Sequence, residues 1–392
     1  MKERNAYIIG TGSYLPGEPI PFSKAQSVLG ELNDIKPKVK RWFDNNSELM
    51  REMLGINYYH YVIDPLTGEI TDDMITMAVK ASKNALELSS TKVDEIDFIC
   101  YASPILEQMP TASVRIQAEL GIDSCAEMSI HANCTSSYKA LMVAAEFIES
   151  GRYNTALVVS SNIMSGAMTS EFYNQKVATR EDILLRWFLC DGAGALILSS
   201  KKPAGRYLKV NSTYIESIGG NKDSMMFNRR PAYPYPLHKI YDQGMHHTAQ
   251  SFRQALNSEA FIDPVTKKSL MFCGIERMLK KFPTDVSKLE FLQINLPSKQ
   301  VVLTLAGELK DLKIDADKLY TNMAEVGYSG PPAVFICVDS IFRNEDADDG
   351  RLVISFVTEV SKFMQAGFVL ECGNFVKNNI KINMELEDEV AC

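Results

Sequence analysis

A segment in the first half of this chain returns in the second, and nothing else in the sequence constrains the fold as strongly. Val93-Asp94-Glu95-Ile96-Asp97-Phe98-Ile99 is answered 193 residues later by Val286-Ser287-Lys288-Leu289-Glu290-Phe291-Leu292. Gly151-Arg152, ahead of the apolar run Ala156-Leu157-Val158-Val159, is answered 199 residues later by Gly350-Arg351 ahead of Leu352-Val353-Ile354-Ser355. Two landmarks at nearly one offset imply a duplicated unit. Strand-like runs such as 96–101 alternate with helical periodicities such as 72–88 and 111–120. Each unit therefore reads as βαβα in a largely parallel α/β sheet. Residues 6–10 read as a strand ended by a turn over 11–16.

The duplication draws attention to one junction. Residues 126–130 read as a short strand, and Tyr138, Leu141, Ala144, Ala145 and Ile148 recur at helical spacing after it. Between them lie Asn133, Cys134, Thr135, Ser136 and Ser137. A cysteine there meets the first free N–H groups of the helix. The helix dipole favours its thiolate, the nucleophilic form. The same N–H groups can hold a carbonyl oxygen as it becomes an oxyanion. The alternative is a buried structural cysteine. In the second unit, Gly327-Tyr328-Ser329-Gly330-Pro331-Pro332 falls where the first has this cysteine, so two helix N-termini face one shared site.

Composition narrows the function. The chain has 392 residues and 46% hydrophobic residues, enough for two domains or a double domain with a sizeable core. A net charge of −8 disfavours nucleic-acid or anionic-membrane partners. The eight cysteines form no CxxC pair and the five histidines show no zinc spacing, so a reducing cytoplasm fits and neither metal nor cofactor is called for. No run is apolar enough for a signal peptide or a membrane span. The expected division is 1–202, an excursion or cap over 203–262 rich in Gly, Pro, Tyr and Met, and 263–392. Such a loop is either a surface excursion or a cover over a pocket.

Taken together, the junction, the duplication and the run Asp191-Gly192-Ala193-Gly194-Ala195 resemble the thiolase-fold condensing enzymes, closest to the β-ketoacyl-acyl-carrier-protein synthase III type. The resemblance covers most of the chain and is strongest at 8–17, 110–122, 133–141, 151–162 and 190–198. It implies a five-layered αβαβα homodimer with Cys134 as nucleophile. It also implies an acyl-carrier-protein or acyl-CoA donor, a small-molecule acceptor, and Met109 on the loop by which a neighbouring subunit closes the acyl pocket.

Departures from the family pattern are as informative. Where the family carries its catalytic His and Asn, this chain has Asn295 and Tyr328, so the site reads Cys134, Asn295, Tyr328. No histidine occurs after 247. The family's glycine-rich loop is replaced by Val360-Ser361-Lys362, which puts Ser361 at the substrate. Leu49 and Met53 stand where the family grips the adenine of coenzyme A. Where the family carries a basic docking residue, this chain has Gln300, beside Lys299. His131 reads as a satisfied core or interface histidine, and His246 and His247 as surface residues.

Three readings follow. In the first, Cys134 takes an acyl group and passes it to an acceptor in fatty-acid-like, polyketide or specialised-metabolite biosynthesis. The second retains decarboxylative Claisen condensation, through a non-standard site or a related partner subunit. In the third, the chain is a non-catalytic partner of a condensing enzyme. Asn and Tyr can donate hydrogen bonds but do not titrate near neutrality as His does, which favours transfer without decarboxylation.

Overall fold

The computed structural model describes residues 4–105, 109–176, 178–228, 252–254, 258–294, 296 and 298–375. Ten strands form one sheet: β1 (Tyr7–Tyr14), β2 (Phe98–Ser103), β3 (Ala126–His131), β4 (Thr155–Asn162), β5 (Gly192–Ser199), β6 (Tyr207–Ser217), β7 (Leu289–Gln293), β8 (Leu319–Tyr320), β9 (Leu352–Glu359) and β10 (Met364–Gly373). Their spatial order is β8-β7-β9-β10-β6-β1-β5-β4-β2-β3. Each half repeats one topology, with β1 to β5 matched by β6 to β10 in both order and direction. The halves meet where Tyr7 and Ile8 pair antiparallel with Lys209 and Leu208. The two sequence landmarks behave identically: 93–95 and 286–288 are single 3-10 turns ahead of β2 and β7. Gly151 and Gly350 take positive φ angles ahead of β4 and β9.

The sheet is mixed rather than largely parallel. The parallel pairs are β2–β3, β2–β4, β7–β8 and β7–β9, whereas β4–β5, β5–β1, β9–β10 and β10–β6 are antiparallel. Only four residues separate β9 from β10, too few for a parallel crossover.

The described helices of eight or more residues are α1 (Pro37–Leu54), α2 (Met74–Ser89), α3 (Ala112–Leu120), α4 (Ser136–Glu149), α5 (Leu270–Lys281), α6 (Lys299–Glu308) and α7 (Ala333–Asn344). The central apolar cluster joins α4 (Leu141, Ala144, Ile148) and α7 (Phe335, Val338, Ile341) to β2, β9 and β10. Helices α2 and α3 cover the outer face of the first half-sheet, and α5 and α6 that of the second. The order is therefore α, β, α, β, α, the five-layered thiolase fold. Among the described residues, no helix is long and apolar enough to cross a membrane.

Two expectations are corrected. Residues 11–14 continue β1 instead of turning. A Cβ on Gly12 would lie 2.3 Å from the Ala81 carbonyl oxygen, so the strand runs hard against α2. The stretch 203–262 is also not wholly an excursion. Tyr207, Leu208, Val210 and Tyr214 are buried, and β6 opens the second half-sheet. Residues 229–251 lie outside the described residues, as do Arg229, Arg230, His238, His246 and His247.

The run 191–195 leads into β5, which begins at Gly192. A Cβ on Gly194 would sit 2.6 Å from Cβ of Phe335, so its absence lets α7 approach. Asp191, fully buried, ties three segments together. Its carboxylate accepts from Met164 N at 2.6 Å, Ser165 N at 2.9 Å and Val62 N at 2.8 Å, and from the Ser165 hydroxyl. Each buried donor stranded without a partner costs about 1–3 kcal/mol. Asp191→Ala is expected to lower unfolding free energy by at least about 3 kcal/mol in urea titration. A loss under about 1 kcal/mol would contradict this anchoring role.

Candidate active site

Strand β3 ends at His131, and Ala132, Asn133, Cys134 and Thr135 lead into α4. The turn is closed by Ser136 N donating to Asn133 O at 2.9 Å. From the other half, Gly327 takes φ 71° and brings Tyr328 opposite. Cys190 N donates to the Tyr328 carbonyl at 3.0 Å, and Asn162 Nδ2 donates to the Ser329 carbonyl at 2.8 Å. Ser137 Oγ donates to the Pro331 carbonyl at 2.7 Å, joining the two helix starts. The Tyr328 hydroxyl thus lies 3.2 Å from Cys134 Sγ.

Glu359, at the end of β9, is the residue that sequence reasoning missed. It is 1% exposed. Its Oε2 accepts from Thr135 N at 3.0 Å and from Thr135 Oγ1 at 2.6 Å; its Oε1 accepts from Ser361 Oγ. A signal for it existed: every other residue of the buried strand 352–359, Leu-Val-Ile-Ser-Phe-Val-Thr, is uncharged.

These groups line one cavity of about 340 Å³, which also takes in Asn133, Asn162, Met164, Leu189, Met226, His131 and Ser361. No lysine or arginine lines it among the described residues. Met226 accepts from Asn133 Nδ2 at 3.5 Å, so the short strand Met226–Asn228 reaches the cavity.

The electrostatics correct one expectation. The helix start is expected to favour a Cys134 thiolate, yet the thiol is pushed up to about 12. Burial is the larger cause and the Glu359 charge the next; the Tyr328 hydrogen bond opposes them. The helix N–H at Thr135 is committed to Glu359, so less of the dipole is left for the sulfur. Tyr328 is raised well above the ordinary phenol value, first by burial and then by Cys134. The resting pair is a thiol and a phenol.

Of the other sequence candidates, Ser361 lines the cavity, while Met109 is 99% exposed and does not line it. Asn295 lies outside the described residues. His131 is not a core residue: it is exposed at the cavity wall, with Nε2 3.0 Å from the Pro104 carbonyl. His60 is buried 3.3 Å from the Pro16 carbonyl and does not line this cavity. Leu49 and Met53 are exposed on α1.

Residues 128–214 match the family described as 3-oxoacyl-(acyl-carrier-protein) synthase III. A β-ketoacyl-(acyl-carrier-protein) synthase III of Caldanaerobacter subterraneus subsp. tengcongensis is 25% identical over 358 residues, covering 89% of this chain and 93% of the relative. The crystal structure of the 3-oxoacyl-(acyl-carrier-protein) synthase III of Aquifex aeolicus superposes with a TM-score of 0.70 at 18% identity, covering 93% of this chain and 99% of that one. A tetronic acid condensing enzyme superposes with a TM-score of 0.72 at 19% identity, with the same coverages. With its two half-sheets and cysteine junction, the chain has the thiolase fold of these enzymes and is similar in sequence to the synthase III family along most of its length.

Proposed function

We propose that this chain is a synthase-III-type acyltransferase in fatty-acid-like, polyketide or specialised-metabolite biosynthesis. Cys134 attacks a donor thioester, its proton leaves on the departing thiol, and the acyl group passes to an acceptor without decarboxylation. The supporting observation is the site's charge: Cys134, Tyr328 and the carboxylate of Glu359 share one cavity with no lysine or arginine among the described lining. Decarboxylation turns a malonyl carboxylate into an enolate, both anionic. A like charge about 5 Å away costs about 3 kcal/mol at an effective dielectric of 20. Transfer to a neutral or cationic nucleophile meets no such charge.

In this reading Tyr328 donates a hydrogen bond to the sulfur, Ser361 borders the substrate, and Asn295 is an additional donor. The donor is an acyl-carrier protein or acyl-CoA; the exposed Leu49 and Met53 offer no polar grip for an adenine and favour the carrier. Homodimerisation is part of the proposal. Strand β3 is one of the sheet's two terminal strands among those described, a template for pairing with a copy, and would bring the exposed Met109 to a partner's cavity. A cytoplasmic setting fits the seven described cysteines, all free.

The high Cys134 value and the committed helix N–H favour one second reading, a non-catalytic partner subunit. Intact-protein mass spectrometry after incubation with acyl-CoA and acyl-carrier-protein donors separates the two. One acyl adduct, absent from Cys134→Ala, is expected. No adduct with any donor leaves the partner-subunit reading standing instead.

A further inference from the structure

Building on the acyltransferase reading, we infer that the acceptor is a primary amine and that Glu359 is the group that receives it. An ionised carboxylate offers about four acceptor positions. Three are filled here, all by neutral donors: Thr135 N, Thr135 Oγ1 and Ser361 Oγ. Among the described residues Glu359 has no ion-pair partner, and the helix start contributes only about half a charge. A buried carboxylate without a counter-ion is costly. Glu359 nevertheless borders an open cavity, beside the sulfur that would carry the acyl group. An entering ammonium supplies the missing positive charge. An alcohol leaves the deficit unfilled, and an anionic extender is repelled.

The chemistry closes without any further reactant. The acceptor enters as R–NH3+ against Glu359 and loses one proton to solvent. Its nitrogen attacks the carbonyl carbon of acyl-Cys134; the C–N bond forms and the C–S bond breaks. The surplus N–H proton passes to Glu359 and then to the departing sulfur. That sulfur, with a thiol value near 12, is a far stronger base than a carboxylate. Amide, Cys134 thiol and Glu359 carboxylate result, with one proton released to solvent. Tyr328 holds a hydrogen bond on the sulfur throughout, and His131, on the cavity wall, keeps its Nε2 against the Pro104 carbonyl.

The test uses the full chain loaded with a hexanoyl group on Cys134, then offered n-butylamine or n-butanol. Discharge is followed by intact mass and products by mass spectrometry. Glu359→Gln keeps an acceptor oxygen for Thr135 N but loses charge and basicity; matching thermal melts check that the fold survives. Discharge is measured per loaded chain, so any change in loading is separated from it. The variant should discharge to butylamine at least about 10²-fold more slowly, with a raised KM for the amine and a collapsed amine-to-alcohol preference. Glu359→Asp is expected to fall between the two. Wild-type amine rate and KM in Glu359→Gln, or butanol discharging the wild type as fast as butylamine, would overturn this inference while leaving the acyltransferase reading intact. Failure of the wild type to load would overturn both.

Discussion

Alkylation of Cys134 by iodoacetamide at pH 8 is expected to run about 10²-fold slower than that of an unhindered cysteine. A thiol at about 12 is thiolate to only about one part in 10⁴ at that pH, against about a quarter for an ordinary cysteine near 8.5. That deficit alone is about 2 × 10³-fold. A more basic thiolate is a better nucleophile, with a Brønsted slope of about 0.4–0.5, which returns about one and a half powers of ten. The sign of the pH dependence follows: the rate should climb about tenfold per pH unit through pH 9 and 10 without levelling. Burial is the larger cause and the Glu359 charge the second. A plateau below pH 9 would mean that the helix start stabilises the thiolate after all. The same result bears on mechanism: a cysteine that rests as a thiol must shed its proton during attack, and its departing sulfur must regain one.

The architecture was readable in the sequence because the duplication is carried by local features. The 3-10 turns at 93–95 and 286–288 and the left-handed glycines 151 and 350 depend on few neighbours, so they survive divergence and reappear in place. Strand direction was less legible. The short connection between β9 and β10 contains Ser361 and Lys362 and reads as a loop, and the antiparallel pairing of the two strands is a tertiary fact that no local pattern carries. Strand β6 itself was hidden by a composition shift that begins a few residues before it, although its alternating burial is ordinary for a strand. At the site, Cys134 and Tyr328 were found by position and lie 3.2 Å apart. Glu359 was not, because it touches Thr135 across 224 residues of sequence. No spacing rule reaches that far, and its charge adds to burial in opposing the thiolate that the isolated strand-to-helix junction predicts.

The central claim is that this cavity transfers an acyl group and does not decarboxylate an extender. Synthase-III-like condensation needs donors for an enolate, and losing one such donor typically costs about 2.7–4 kcal/mol. Here the phenol of Tyr328 is already engaged with Cys134. The adjacent carboxylate disfavours a malonyl group both before and after carbon dioxide leaves. Neither effect opposes a nucleophile that brings its own proton. The decisive measurement is a paired assay on acyl-loaded protein, with malonyl-acyl-carrier protein in one arm and amine and alcohol acceptors in the other, recording both product mass and carbon dioxide. The account predicts an acylated acceptor in the second arm and no carbon dioxide above background in the first. Carbon dioxide release with a β-ketoacyl product, at an ordinary enzymatic rate of about 1–10³ s⁻¹, would contradict it.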